Sequence, residues 1–241
     1  MENPLHHFEL HTLVPIRIGG LDLSITQGVV MMWLAVAAAF AVLFFPAARL
    51  KLVPGRRQSL VEMAVVFLRD MSVELIGKKG PVFLPLLAAL FFFVLFCNLL
   101  GLIPGTFTAT SQIFVTGALA VTAYFVSVGV GLKYHGLHYF KIFAPTGTPS
   151  WLVPLMVPIE VISHLARPLS LALRLFANMT AGHTILAVLF SLTVSLGIAL
   201  GWLPFGFTVA IYLLEFAVAF IQAYIFTILT TVYIGDAVHL H

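Results

Sequence analysis

The chain has 241 residues, of which 61% are hydrophobic and only 9% charged. Soluble domains carry roughly 25% charged residues, so there is too little polar surface here to coat a soluble globule, and far too little charge for a disordered chain. Cys97 is the only cysteine, which excludes an internal disulfide framework, and long unbroken apolar runs exclude a β-barrel. What remains is an all-α polytopic membrane protein. The net charge of +3 does not indicate nucleic-acid binding, because no basic stripe is interleaved with aromatics.

The first residues carry Glu2, His6, His7, Glu9 and His11 before the first cation, Arg17. They do not read as a cleavable signal peptide, which needs a basic start and an early apolar core. Residues 28–48 hold no charge and are long enough to cross a bilayer, for which a helix needs roughly 20 residues. Residues 57–77 differ in kind: Leu60, Ala64, Phe67, Leu68, Met71, Leu75 and Ile76 recur at helical spacing among Arg57, Glu62, Arg69, Asp70 and Glu74. A crossing here would bury several charges, and an amphipathic helix on the membrane surface avoids that cost.

From Gly80 to Leu132 there is no Asp, Glu, Lys or Arg, and Pro104-Gly105 divides the run into spans at 82–103 and 113–132. A Pro/Gly/Thr loop follows at 144–150. The remainder, 151–196 and 203–236, reads as two long helices joined by a glycine-rich turn at 197–206. Both exceed the length of an upright span, so both must be strongly tilted. The expectation is one membrane domain of five crossing helices plus one surface helix. Nine of the twelve cations lie in 49–79 and at Lys133 and Lys141. The positive-inside rule makes that side cytoplasmic, with the N-terminus outside and the C-terminus inside.

Function should reside in the ionisable groups inside the membrane, because a charge at the bilayer centre costs roughly 2.5–3.5 kcal/mol. Arg174 is the clearest, with apolar neighbours and permanent charge. Glu160, His164, Arg167, Leu171, Arg174 and Asn178 form one helical stripe, flanked by Ser163 and Ser170. In an antiparallel hairpin turning near 198–199, Arg174 falls level with Gln222, and His183 level with Glu215. A fixed cation thus separates two polar paths. Such an arrangement cannot conduct protons alone and needs a moving partner. Arg167 reads as a snorkelling cation. His135, His138 and the terminal histidines, including His239 and His241, read as solvated rather than metal-binding, and no cofactor is expected.

SLALRLFANMTAGH (170–183), the later EFAVAFIQAYIFTILTTVYI (215–234), NPLHHFEL (3–10) and FCNLLGLIPG (96–105) together resemble subunit a of the F-type ATP synthases over nearly the whole chain. The order of His183 and Glu215 looks like the mitochondrial and α-proteobacterial form. The resemblance implies a non-catalytic proton-channel subunit of a bacterial inner membrane. Its implied partners are the c-ring, the peripheral-stalk b subunits, membrane lipid and, indirectly, the catalytic head. By position it gives Arg174 the role facing the ring carboxylate, with Asn178 and Gln222 beside it. Glu160 and Ser163 match the cytoplasmic half-channel, and His183 with Glu215 the outer one, as a relay whose two members should be interchangeable. Gly101 stands where some relatives carry an acid, so that position carries no proton. The competing readings are a secondary transporter with Arg174 as an anion site, a haem protein and a structural anchor. They lack, respectively, internal repeats, a facing axial histidine and a reason for Arg174.

Overall fold

The computed structural model describes residues 12–15, 17–18, 21–22, 24–48, 54–103, 106–143 and 152–239. The histidines at 6, 7, 11 and 241 and the loop at 144–150 lie outside the described residues. Among the described residues six α-helices follow one another: α1 Gln27–Ala47, α2 Arg56–Ile76, α3 Gly80–Gly101, α4 Ile113–His135, α5 Val153–Leu200 and α6 Trp202–Val238. Five helical segments are long and apolar enough to cross a membrane, with α2 and α3 forming one such segment. The chain is an all-α polytopic membrane protein. Two short antiparallel strand pairings precede α1, Thr12–Val14 with Ile25–Thr26 and Arg17–Ile18 with Leu21–Asp22. The helical and apolar periodicities gave no sign of them, because pairs this short carry little alternation.

Helix α2 turns one face to its neighbours. Leu68 and Met71 are buried against Ala39 of α1 and Ala88 and Phe92 of α3, while Ile76 meets Leu87, Ile234 and Val238. Its charged residues Arg56, Arg57, Glu62, Arg69, Asp70 and Glu74 are exposed, and so are Leu60 and Phe67 at the edge of the apolar stripe. Phe67 packs its ring on Tyr224 of α6 at 5.7 Å. The end of α6 is tied in on two sides. His135 Nε2 donates to the Val238 carbonyl at 3.0 Å, and His239 Nε2 donates to Ile76 at 2.9 Å. His135 is therefore half-buried and engaged, rather than the solvated loop histidine that its charged surroundings suggest.

Helices α5 and α6 form the hairpin that carries most of the intramembrane polar groups. Gly197 alone breaks α5, with φ 60 and ψ −163, a backbone conformation that costs glycine little. Gly201 N–H donates to the Gly197 carbonyl at 2.8 Å and helical geometry resumes at Trp202, so the turn is tighter than the sequence suggests. α6 spans 37 residues, about 55 Å at 1.5 Å per residue, in a hydrocarbon layer roughly 30 Å thick. It cannot stand upright in that layer. Leu171, Ala172, Leu175 and Met179 of α5 pack with Val94 and Leu95 of α3, Ala120 and Ala123 of α4, and Ala223 and Phe226 of α6. This shared core fixes the depth and rotation of the Arg174 segment, because buried side chains interdigitate at near-crystal density.

Candidate functional site

The α5 stripe divides between two faces. His164, Leu171, Leu175 and Met179 are buried against α4 and α6, whereas Ser163, Ser170, Arg174 and Asn178 are exposed on the flank. Glu160 lies between, half-buried. Among the described residues Arg174 makes no hydrogen bond or ion pair. Gln222, 5% exposed, sits inside the bundle. The antiparallel register puts these two at one height, but they face different surroundings and no bond joins them.

On the side of the hairpin turn, His183 and Glu215 come together as their register requires. Glu215 is buried, and its carboxyl presses on Gly182 so closely that a methyl group there would overlap Oε1. Glycine is needed at 182 for this approach. Neither carboxyl oxygen has a hydrogen-bond partner among the described residues. His183 is held by other groups. Its Nδ1 lies 2.7 Å from the Met179 carbonyl, and its Nε2 lies 2.8 Å from both the Gly101 carbonyl and Thr108 Oγ1. The residues flanking Gly101 and Thr108 join the same cluster: Tyr212 donates its hydroxyl to Leu102 at 3.0 Å, and Thr110 donates to Asn98 at 2.8 Å. Gly101 joins the cluster through its carbonyl. The two members of the pair differ in their contacts: His183 is held by two carbonyls, and the Glu215 carboxyl has no hydrogen-bond partner among the described residues.

Toward the open end of the hairpin, Arg167 does not snorkel alone. Its Nη1 donates to Asp236 Oδ2 at 2.9 Å, and its guanidinium carbon lies 5.6 Å from the centre of the Tyr233 ring. The pair borders a small cavity lined also by Tyr124, Tyr139 and His164. His164 is buried, its ring edge against Phe143 at 5.2 Å, and its Nε2 has no partner among the described residues. Asp236, Thr108 and Tyr212 escaped the sequence reading. The hairpin register puts Arg167 level with positions short of Asp236, so it did not reveal this pair. Thr108 and Tyr212 gave no signal, being ordinary hydroxyl residues in apolar surroundings. Among the described residues no three His, Cys, Asp or Glu side chains gather as metal ligands would.

A family model described as ATP synthase A chain matches residues 29–235. The chain belongs to that family. An ATP synthase subunit a from Magnetococcus marinus is 49% identical, covering 99% of this chain and 94% of the relative. One from Rhodospirillum rubrum is 44% identical over the whole of both chains, and one from Agrobacterium fabrum 49% identical over 98% of each. The match to ATP synthase A chains runs from the start of α1 to near the end of α6, so Arg174, Arg167, His183 and Glu215 lie within the shared region and Asp236 lies just beyond it.

Proposed function

We propose that this chain is the proton-conducting stator subunit of an F-type ATP synthase, coupling a transmembrane proton gradient to ATP synthesis without catalysing a covalent step itself. The observation that carries the reading is Arg174, an exposed guanidinium with no hydrogen-bond or ion-pair partner among the described residues, lying between two separate polar clusters. A permanent charge on an otherwise apolar flank needs a counter-charge from outside. A carboxylate on each helix of a passing c-ring supplies it.

In this reading His183 and Glu215 line the outer half-channel, with Asn178 and Gln222 beside the crossing point. Glu160 and Ser163 line the cytoplasmic half-channel, together with Asp236, which the Arg167 pair brings to the same end. Arg174 favours the ionised ring carboxylate as it passes and blocks a direct proton leak. One charge crossing 100 mV is worth about 2.3 kcal/mol, so a leak here would dissipate the gradient. In this reading the chain lies in a bacterial inner membrane with its C-terminus facing the cytoplasm, which the cationic loops support. Peripheral-stalk b subunits hold the chain still, and the catalytic head is reached only through the complex.

The test is Arg174→Ala in the assembled complex. Coupled ATP synthesis and ATP-driven pumping should both vanish while the subunits still co-purify. Normal coupled synthesis from such a complex would sink the assignment. Orientation is tested with Glu160→Cys, which should react with a soluble thiol reagent added from the cytoplasmic side. Reaction only from the opposite side would reverse the topology.

A further inference from the structure

The hydrogen bonds of His183 carry an inference that rests on the outer half-channel reading and goes beyond it. A carbonyl oxygen accepts and never donates. Nδ1 at 2.7 Å from the Met179 carbonyl and Nε2 at 2.8 Å from the Gly101 carbonyl therefore both need to carry a hydrogen. A neutral imidazole has one N–H. It would set a nitrogen lone pair against a carbonyl lone pair at one end or the other. Only the doubly protonated ring meets both carbonyls. Thr108 fits the same state: its Oγ1 lies 2.8 Å from Nε2 and 3.3 Å from the Gly101 carbonyl. Its one O–H can go to Gly101, leaving an oxygen lone pair for Nε2–H.

The groups packed around the ring agree with this state. From α6 come Glu215, close enough to act electrostatically on His183, and Tyr212 about one turn earlier, whose hydroxyl is spent on Leu102. From α3 and the segment that follows it come the Gly101 carbonyl and the Thr108 hydroxyl. No direct ion pair joins His183 to Glu215, and the carboxyl oxygens are buried without a hydrogen-bond partner among the described residues.

We propose that His183 is a fixed cation rather than a proton relay, and that Glu215 alone exchanges the transported proton on the turn side of Arg174. The ring keeps both of its protons throughout the cycle. Glu215 takes a proton from water on the outer side, passes it to the ring carboxylate of the rotor and returns to the carboxylate form, so no net proton is gained or lost by this chain. His183 supplies the counter-charge that a buried carboxylate requires between loads. Thr108 and Gly101 are positioning groups that hold the imidazolium in place.

The direct test is nitrogen-15 solid-state NMR of the assembled complex in lipid bilayers with labelled histidine, the His183 signals being identified by their loss in His183→Gln. Both ring nitrogens should show protonated shifts throughout the pH range in which the complex is active. A single unprotonated ring nitrogen within that range would overturn the proposal. A flux measurement sharpens it. His183→Arg keeps a cation that cannot release a proton, and should conduct several-fold better than His183→Gln. His183→Gln should fall about tenfold or more, because the buried carboxylate then lacks its counter-charge. A Gln variant conducting as well as the parent overturns the fixed-cation role. The NMR readout does not depend on coupling, so failure of the Arg174 test would leave it standing, and its own failure would leave the Arg174 assignment untouched.

Discussion

The two ends of the α5–α6 hairpin hold similar residues in opposite states. Toward the open end, Arg167 and Asp236 touch at 2.9 Å, and their side chains remain 30% and 45% exposed. At the turn, His183 is fixed by two carbonyls and a hydroxyl, and Glu215 is buried with no hydrogen-bond partner among the described residues. A charge paired in direct contact is held in one state. A carboxylate kept near a cation but out of contact stays free to take and give a proton. The hairpin thus leaves the Glu215 carboxyl without a hydrogen bond among the described residues on the turn side, and holds Asp236 at the open end in an ion pair.

The sharpest way to break this contrast is to remove the free acid. Glu215→Gln in the assembled complex should lower passive proton conduction by about a hundredfold, the low end of what a positioned acid or base contributes. Conduction near the parent value would move the outer path away from Glu215. The next probe exchanges the pair. His183→Glu with Glu215→His places a carboxylate against the Gly101 and Met179 carbonyls, with the Thr108 hydroxyl as the one nearby donor among the groups that hold the ring. Flux in this double variant should be no higher than in His183→Leu alone, and substantial recovery would show that the clamp does not decide which residue works.

A smaller effect is expected from Gly182→Ala. The added methyl displaces the Glu215 carboxyl without touching its chemistry, so flux should drop about tenfold while the complex still assembles, a cost typical of a positioning error of about an ångström. Unchanged flux would mean that Glu215 works from another rotamer. The smallest effect belongs to the open end. Asp236→Asn breaks a half-exposed ion pair of a kind worth about 0.2–1 kcal/mol, and should lower the thermal midpoint by only about 1–3 °C. Proton conduction cut by Asp236→Asn as deeply as by Glu215→Gln would erase the difference between the two ends.

Much of this was legible from the chain. The charge-free run from Gly80 to Leu132, divided at Pro104-Gly105, specifies two crossing helices because the bilayer penalises any polar break elsewhere. The turn at Gly197 was visible as glycine, and from it the hairpin register brings His183 to Glu215. The register gives height but not rotation, so it could not tell that Arg174 faces out and Gln222 faces in. Contacts between distant segments were also hidden. Thr108 meets His183 across 75 positions, and a lone hydroxyl has no periodicity by which to find it. The strand pairings before α1 were missed because two or three residues are too few for a pattern.

The exposed side of Arg174 has a consequence for how the chain must live before it is assembled. A guanidinium turned toward lipid rather than toward a counter-charge costs about 2.5–3.5 kcal/mol, close to a hundredfold in an equilibrium. In the proposed complex, docking of the rotor relieves that cost. The residue proposed to face the rotor in the finished complex is then also a mark of incompleteness in the orphan chain. An unassembled copy carries a local defect in its own membrane, where thinning and water penetration would expose it to surveillance proteases, and partner binding is what erases the mark.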